Sequence, residues 1–277
     1  MQLKAHAKVN LTLDILGKRE DGFHSLRSVM QEVSLCDEIT LDEISEDAIK
    51  ISCSDKTLEN DDNLCWKAAA LIKRTFMIAQ GVSISLTKNI PMQAGLGGGS
   101  SDAAAVLMGL NVLWELKLDE DGLMKLAAEL GSDVPFFILG GTCVVEGRGE
   151  IVSRIKGPEY SYVIVVPEVG SSTGDAYAAV DLSVVGKKQA SEGFVKEFDV
   201  KEIHNDFEVS VFKKHPELEE IKVKLLECGC TAAFLAGSGS SVMGIVDEAS
   251  KQLVKEQLKD KKLIFAYSAN MPAESRL

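Results

Sequence analysis

The chain of 277 residues is short of positive charge: 30 Lys and Arg stand against 42 Asp and Glu, a net charge of −12. Nucleic-acid backbones and anionic membranes both ask for a net or locally dense basic surface, so neither is expected as a partner. A small anionic ligand is not excluded, because a site can be locally positive on an acidic protein. The six cysteines, Cys36, Cys53, Cys65, Cys143, Cys228 and Cys230, include no C-x-x-C pair. That argues against a zinc ribbon or a thioredoxin-like motif. They read instead as reduced, mostly buried residues of a cytoplasmic protein. No signal-peptide stretch marks the start, MQLKAHAKVN. The longest apolar run, residues 103–114, is broken by Gly109 and Asn111 and is too short to span a bilayer. Internal repeats and low-complexity tracts are also missing.

What is present is ordinary for a globular protein, with 45% apolar and 26% charged residues. The length suits one large domain or two medium ones, with core enough to need no staple. In the first strand pattern, residues 9–16, Val9, Leu11, Leu13 and Ile15 share one face by the period of two. Lys8, Asn10, Thr12 and Asp14 share the other, either as a solvated face, the commoner case, or as the lining of a cleft. Further strands are expected at residues 38–41, 49–53 and 82–86, with helices over 61–80, 101–114 and 119–130. Asp119 is placed to cap the last of these and Gly131 to end it. The second half reads as strands at 151–155 and 162–166, a polar loop over 181–189, and a helix opening at Pro216 and ending at Gly229. Strands at 231–235, 242–246 and 263–266 follow, with a helix over 250–259. This is α+β, with a division near residue 155.

The stretch Pro91-Met92-Gln93-Ala94-Gly95-Leu96-Gly97-Gly98-Gly99-Ser100-Ser101-Asp102-Ala103 lies between a strand and a helix. Such a glycine run lets the backbone approach a ligand closely and turn successive N–H groups inward as an anion nest, reinforced by the helix N-terminus. Ordering so many glycines for a plain turn would lose entropy without gaining side-chain packing. Phosphate binding is therefore expected, with Ser100 and Ser101 able to donate to phosphate. No Lys follows the glycines, so this is not a Walker A loop. The third glycine of a dinucleotide fingerprint is also missing.

In Gly131-Ser132-Asp133-Val134-Pro135-Phe136-Phe137, Ser132 or Asp133 is placed to cap a helix whose first turn holds Pro135. The functional alternative for Asp133 is to accept the proton of an attacking hydroxyl, with Lys8 neutralising phosphate charge and keeping the carboxylate ionised. A second glycine-rich turn, Leu235-Ala236-Gly237-Ser238-Gly239-Ser240-Ser241, reads alone as a hairpin loop. Beside the first, it would close over the same ligand.

Together these residues resemble the GHMP kinase family. The first loop is similar to that family's ATP-phosphate loop and residues 235–241 to its C-terminal glycine motif. Further matching stretches, in family order, are Ala7-Lys8-Val9-Asn10-Leu11, Arg19-Glu20-Asp21-Gly22-Phe23-His24, Gly147-Arg148-Gly149-Glu150 and Asn205-Asp206-Phe207-Glu208. The resemblance implies a two-domain GHMP kinase fold. Residues 1–155 would form a domain like the second domain of ribosomal protein S5, carrying the ATP loop, and residues 156–277 a ferredoxin-like domain. It further implies ATP-dependent phosphorylation of the 2-hydroxyl of 4-diphosphocytidyl-2-C-methyl-D-erythritol, in the non-mevalonate isoprenoid route. Mg²⁺ would be carried by ATP, with no clear protein ligand. By the same resemblance Asp133 and Lys8 are catalytic, and Pro91, Gly95, Leu96, Gly97, Gly98, Gly99, Ser100 and Ser101 hold ATP, with Asn63 and Lys88 near adenosine. Asn10, Phe23, His24, Tyr177, Gly237 and Ser238 face the substrate. His24 would read the cytosine edge; on its own it is an ordinary surface histidine. Phe23 stands where the family usually has Tyr, keeping a stacking face but losing a hydroxyl. Two alternatives remain at this stage. One is another small-molecule GHMP kinase acting on mevalonate, phosphomevalonate or homoserine; the other is a non-catalytic nucleotide-binding protein on the same fold.

Overall fold

The computed structural model describes residues 1–269, built on two sheets. The first sheet holds β1 (Gln2–Lys18), β2 (His24–Ile44), β3 (Ile49–Cys53), β4 (Gly81–Thr87), β5 (Thr142–Gly147), β6 (Ile151–Ile155) and the two-residue β8 (His204–Asn205). The second holds β7 (Ser161–Val166), β9 (Ala232–Leu235), β10 (Val242–Ile245) and β11 (Lys262–Tyr267) in the order β11-β7-β10-β9, all antiparallel. Between β7 and β9 run the helices α5 (Thr173–Ala178), α6 (Ala190–Glu197), α7 (Phe207–Lys214) and α8 (Pro216–Glu227); α9 (Glu248–Gln257) joins β10 to β11. This is the strand–helix–strand–strand–helix–strand succession expected for the second half, laid out as a ferredoxin-like sheet. Residues 181–189 carry neither helix nor strand.

The expected strand at 38–41 is only part of β2, which is 21 residues long. One edge of β2 pairs with β1 from His24 to Thr40; the other is divided between β5 over Leu26–Gln31 and β4 over Glu38–Ile44. The register of β1 against β2 shifts at three places, and these bulges break the alternation that a pattern reading depends on. Strand β5 lies outside the expected strands, hidden between the glycine turns that flank it.

Four helices cover one face of the first sheet: α1 (Leu64–Phe76), α2 (Gly98–Leu113), α3 (Glu120–Leu130) and α4 (Val134–Leu139). Helix α1 is shorter than the expected 61–80. Asn63 caps it by accepting from the Cys65 N–H, and Met77 ends it in the left-handed region. Helix α3 starts as expected, with Asp119 accepting from the Gly122 N–H, and ends at Gly131.

Strand β1 joins the whole. Leu3 and Ala5 pack under the first group of helices, Ala7, Val9 and Leu11 pack between the two sheets, and Leu13 and Ile15 pack with α7 and α8. The Tyr162 hydroxyl donates to Gln31 Oε1 at 2.6 Å across the seam. The polar face of β1 is not solvated. Lys8, Asn10, Thr12 and Asp14 are all buried, so the commoner reading of that pattern is corrected. All six cysteines are free, and all except half-buried Cys36 are buried. No helix among the described residues is long and apolar enough to cross a membrane.

Candidate active site

Lys8 is held at both ends. Its backbone N–H donates to Leu96 O of the glycine loop at 2.9 Å, and its Nζ donates to Asn10 Oδ1 at 2.7 Å. Asn10 in turn donates to Ser28 Oγ, and Ser28 donates to Thr12 O. This row orients the ammonium along β1 towards Asp133, whose Oδ2 lies 3.9 Å from Lys8 Nζ. Burial holds the Lys8 ammonium below the usual lysine range, with Asp133 pulling the other way.

Asp133 occupies the N-cap position of α4 but makes no capping hydrogen bond. Its side chain keeps 35% of its surface open, facing Lys8 instead. The capping expectation is thus corrected: the geometry frees the carboxylate for another partner.

The glycine loop is wedged among its neighbours. Gly97 is the N-cap of α2, at φ 72°, and no side chain caps that helix. Its first-turn N–H groups have no intrahelical acceptor and so are available to an anion. A Cβ on Gly95 would stand 1.8 Å from Ala236 O, so the two glycine turns are in direct backbone contact. A Cβ on Gly237 would lie 3.0 Å from Lys8 Nζ and 3.3 Å from Asn10 Oδ1. The second turn therefore closes over the same place as the first, alongside Lys8.

Two cavities meet here. One, of about 460 Å³, is lined by Lys8, Asn10, Asn63, Lys88, Pro91, the loop from Gly95 to Ser100, Gly237 and Ser238. The other, of about 640 Å³, is lined by Phe23, His24, Arg148 and Ala178. Ser100, Asp133, Thr173 and Tyr177 line both. Ser101 lines neither and is buried in the first turn of α2.

Two of the expected adenosine contacts have structural partners of their own. Asn63 caps α1, and Lys88 Nζ donates to Asp37 and to Asp102 Oδ2. Burial pushes the Asp102 carboxyl up to about 7; Lys88 opposes this, and the nearby Asp37 carboxylate adds to it.

In the second cavity Tyr177 stacks on His24, with centroids 5.2 Å apart and planes 19° apart. Phe23 is exposed and carries the Arg148 guanidinium over its ring at 4.9 Å. Burial, with Asp133 near, pushes the Tyr177 phenol up to about 12, so it remains protonated. Burial, then Lys18, holds the His24 imidazole below its ordinary value. Sequence reading assigned nothing to Arg148, Thr173 or Asp102, although Arg148 and Asp102 stood inside quoted motifs. Asp14, His204 and Asp206 also come together, their ligand atoms within 4.8 Å of one another. Their carboxylate oxygens already accept from Ala190, Ser191, Ile15 and Gly186 N–H groups or meet His204, so this cluster latches loops.

Comparison with known proteins places this architecture. Residues 63–141 match the GHMP kinases N terminal domain and residues 197–263 the GHMP kinases C terminal domain. The chain is 43% identical to a 4-diphosphocytidyl-2-C-methyl-D-erythritol kinase of Caldicellulosiruptor bescii, over 88% of this chain and 89% of that one. It is 41% identical to the enzyme of the same name from Bacillus cytotoxicus, over 90% and 89%. A crystal structure of 4-(cytidine 5'-diphospho)-2C-methyl-D-erythritol kinase superposes with a TM-score of 0.84 at 30% identity, covering 97% of this chain and 99% of that one. A homoserine kinase from Cytophaga hutchinsonii shares the fold at 20% identity, with a TM-score of 0.78 and coverage of 97% and 94%.

Proposed function

Since the chain belongs to the GHMP kinase family, and within it to the 4-diphosphocytidyl-2-C-methyl-D-erythritol kinases, we propose that the meeting of its two cavities at Asp133 is where phosphate passes from ATP to substrate. The enzyme phosphorylates the 2-hydroxyl of 4-diphosphocytidyl-2-C-methyl-D-erythritol with ATP, in the non-mevalonate route to isoprenoid precursors. Mevalonate and homoserine kinases share its fold at 14–20% identity, too little to carry their substrates over.

Phosphoryl transfer asks for a positioned hydroxyl, an acceptor for its proton and neutralisation of the phosphate charge. Asp133, open to both cavities, accepts the proton of the 2-hydroxyl. Lys8, 3.9 Å away, neutralises charge on the transferred group, and Asn10 fixes the direction of its ammonium. The N–H groups opening α2 and the Gly95 to Ser100 loop hold the triphosphate, with Gly237 and Ser238 closing the opposite side. Asn63, Lys88 and Pro91 border the adenosine end. His24 reads the cytosine edge, with Tyr177 and Phe23 as the apolar surfaces for the base.

Mg²⁺ fits this donor set. Ser100, a hard oxygen donor lining both cavities, is the side chain that would hold an ion otherwise coordinated by phosphate and water. When bound, it neutralises phosphate charge. The enzyme acts in the cytoplasm on small molecules, with neither nucleic acid nor membrane as partner, in keeping with its net charge of −12.

The observation that carries this reading is the position of Asp133, shared by both cavities and facing Lys8. A coupled assay of ADP release tests it. Turnover is expected with the diphosphocytidyl substrate; turnover with mevalonate or homoserine instead would overturn it.

A further inference from the structure

The segment Asn205-Asp206-Phe207-Glu208 takes no part in the chemistry above, yet Asn205 and Glu208 hold the second glycine turn and Phe207 meets Tyr177. Its place is set by β8, which pairs parallel with β1 so that Leu13 faces Asn205, and by Asp206 N–H donating to Leu13 O at 3.0 Å. Asn205 is fully buried. Its Nδ2 donates to Leu235 O at 2.9 Å and to Gly237 O at 2.7 Å, and its Oδ1 accepts from the Phe207 N–H. Glu208 Oε1 accepts from the Leu235 N–H at 2.9 Å, while its other oxygen takes Lys222 Nζ. Three backbone groups of the second glycine turn are therefore fixed by two side chains of this segment. That turn is the one in close contact with Lys8. Phe207 meets Tyr177 edge-on, centroids 4.8 Å apart and planes at 83°. Tyr177 in turn stacks on His24.

We propose that Asn205 is a positioning residue for phosphoryl transfer, holding the Gly237–Ser238 turn against Lys8, while Phe207 holds Tyr177 at the cytosine end. One short segment thereby sets both ends of the acceptor site. The physical ground is the sensitivity of transfer to placement: a shift of about 1 Å in a positioning element lowers a rate by roughly 10²-fold. A glycine turn, with few side chains to lock it, takes its place from whatever holds its carbonyls. Asn205 is suited to this because its amide offers two donors, one for each carbonyl. Asp206 extends the same wiring, its Oδ2 accepting from the Ile15 and Gly186 N–H groups and so tying the loop before α6 to β1.

The proposal rests on the functional reading above, and its test separates the two. Turnover of the diphosphocytidyl substrate by the unaltered enzyme is measured first; its absence would strike the functional reading. In Asn205→Ala, kcat is expected to fall by about tenfold or more, while KM for the substrate and the inhibition constant of CDP stay within about threefold. In Phe207→Leu the split reverses: KM and the CDP constant rise by about fivefold or more, with kcat within about threefold. Should the alanine variant fail to fold, Asn205→Ser carries the same expectation. A kcat for folded Asn205→Ala within about twofold of the unaltered enzyme overturns the proposal. So does an equal change of kcat and KM in both variants, the mark of general loosening. If neither Asn205 variant folds, the residue is structural and the proposal falls.

Discussion

Lys8 and Asp133 face each other at 3.9 Å, one almost wholly buried and the other with about a third of its side chain open. A carboxylate at a helix N-cap ordinarily accepts the first-turn N–H groups, but here it does not. Removing its charge should therefore leave the helix little changed. Asp133→Asn is expected to lower kcat by roughly 10²–10⁴-fold, measured by coupled ADP release. Its melting temperature should stay close to that of the unaltered protein. A wild-type kcat together with a fallen melting temperature would return Asp133 to a capping role.

Lys8 leads to the opposite kind of contrast. Burial lowers its pKa in the fold, so between that lowered value and the ordinary lysine value of 10.5 the unfolded chain binds more protons. Stability therefore rises with pH through that window, and at neutral pH the buried ammonium is a burden that Asp133 and Asn10 relieve only in part. Lys8→Met keeps the volume and removes the charge. It should melt at or above the temperature of the unaltered protein at pH 7 while turnover falls by roughly 10²-fold or more. A markedly lower melting temperature would mean that Lys8 stabilises the fold by its charge.

These two residues also show what the sequence can and cannot disclose. The alternation in β1 reveals that Lys8, Asn10, Thr12 and Asp14 share a face, but a period of two carries no information on what covers that face. The cover comes from the glycine turn at Gly237 and from residues 190–191, which are distant in sequence. The glycine loop was legible because its residues demand a backbone-lined ligand whatever surrounds them. Most of β2 was not, because Gln31, Glu32 and Asp37 are polar residues inside a buried strand and its bulges shift the register. Asn205 lay within a recognised motif, yet its role depends on two carbonyls, of Leu235 and Gly237, that lie 30 and 32 positions further along the chain.

The contact between the two glycine turns can be tested by a single methyl group. At Gly95 a Cβ would fall 1.8 Å from Ala236 O, with φ at +77°, so Gly95→Ala must push the turns apart or strain the loop. At Gly193, on α6 and away from both cavities, the nearest atoms a Cβ would meet belong to the flexible Glu202 side chain, at 3.3 Å. Gly95→Ala is expected to raise KM for ATP or lower kcat by about tenfold or more, and Gly193→Ala to keep both within about threefold. Equal effects of the two, read by steady-state kinetics, would show that the turns do not act together.

Asp102 gives a prediction in pH. It shares the single ammonium of Lys88 with Asp37, and its carboxyl is pushed up to about 7 from 3.8, burial being the main cause. A raised carboxyl pKa means that the folded chain holds a proton the unfolded chain has already lost between about pH 4 and 7. The fold is therefore relatively favoured below that window and loses stability as pH rises through it. Asp102→Asn keeps an acceptor for Lys88 but has nothing to ionise. Its stability relative to the unaltered protein should improve by more than about 1 kcal/mol between pH 5 and pH 8, measured by urea unfolding at both, since one pKa unit corresponds to about 1.4 kcal/mol. A difference that stays flat across that range, or that shrinks, would place the Asp102 carboxylate in its ionised form throughout and make Asp102 a plain ion-pair partner of Lys88.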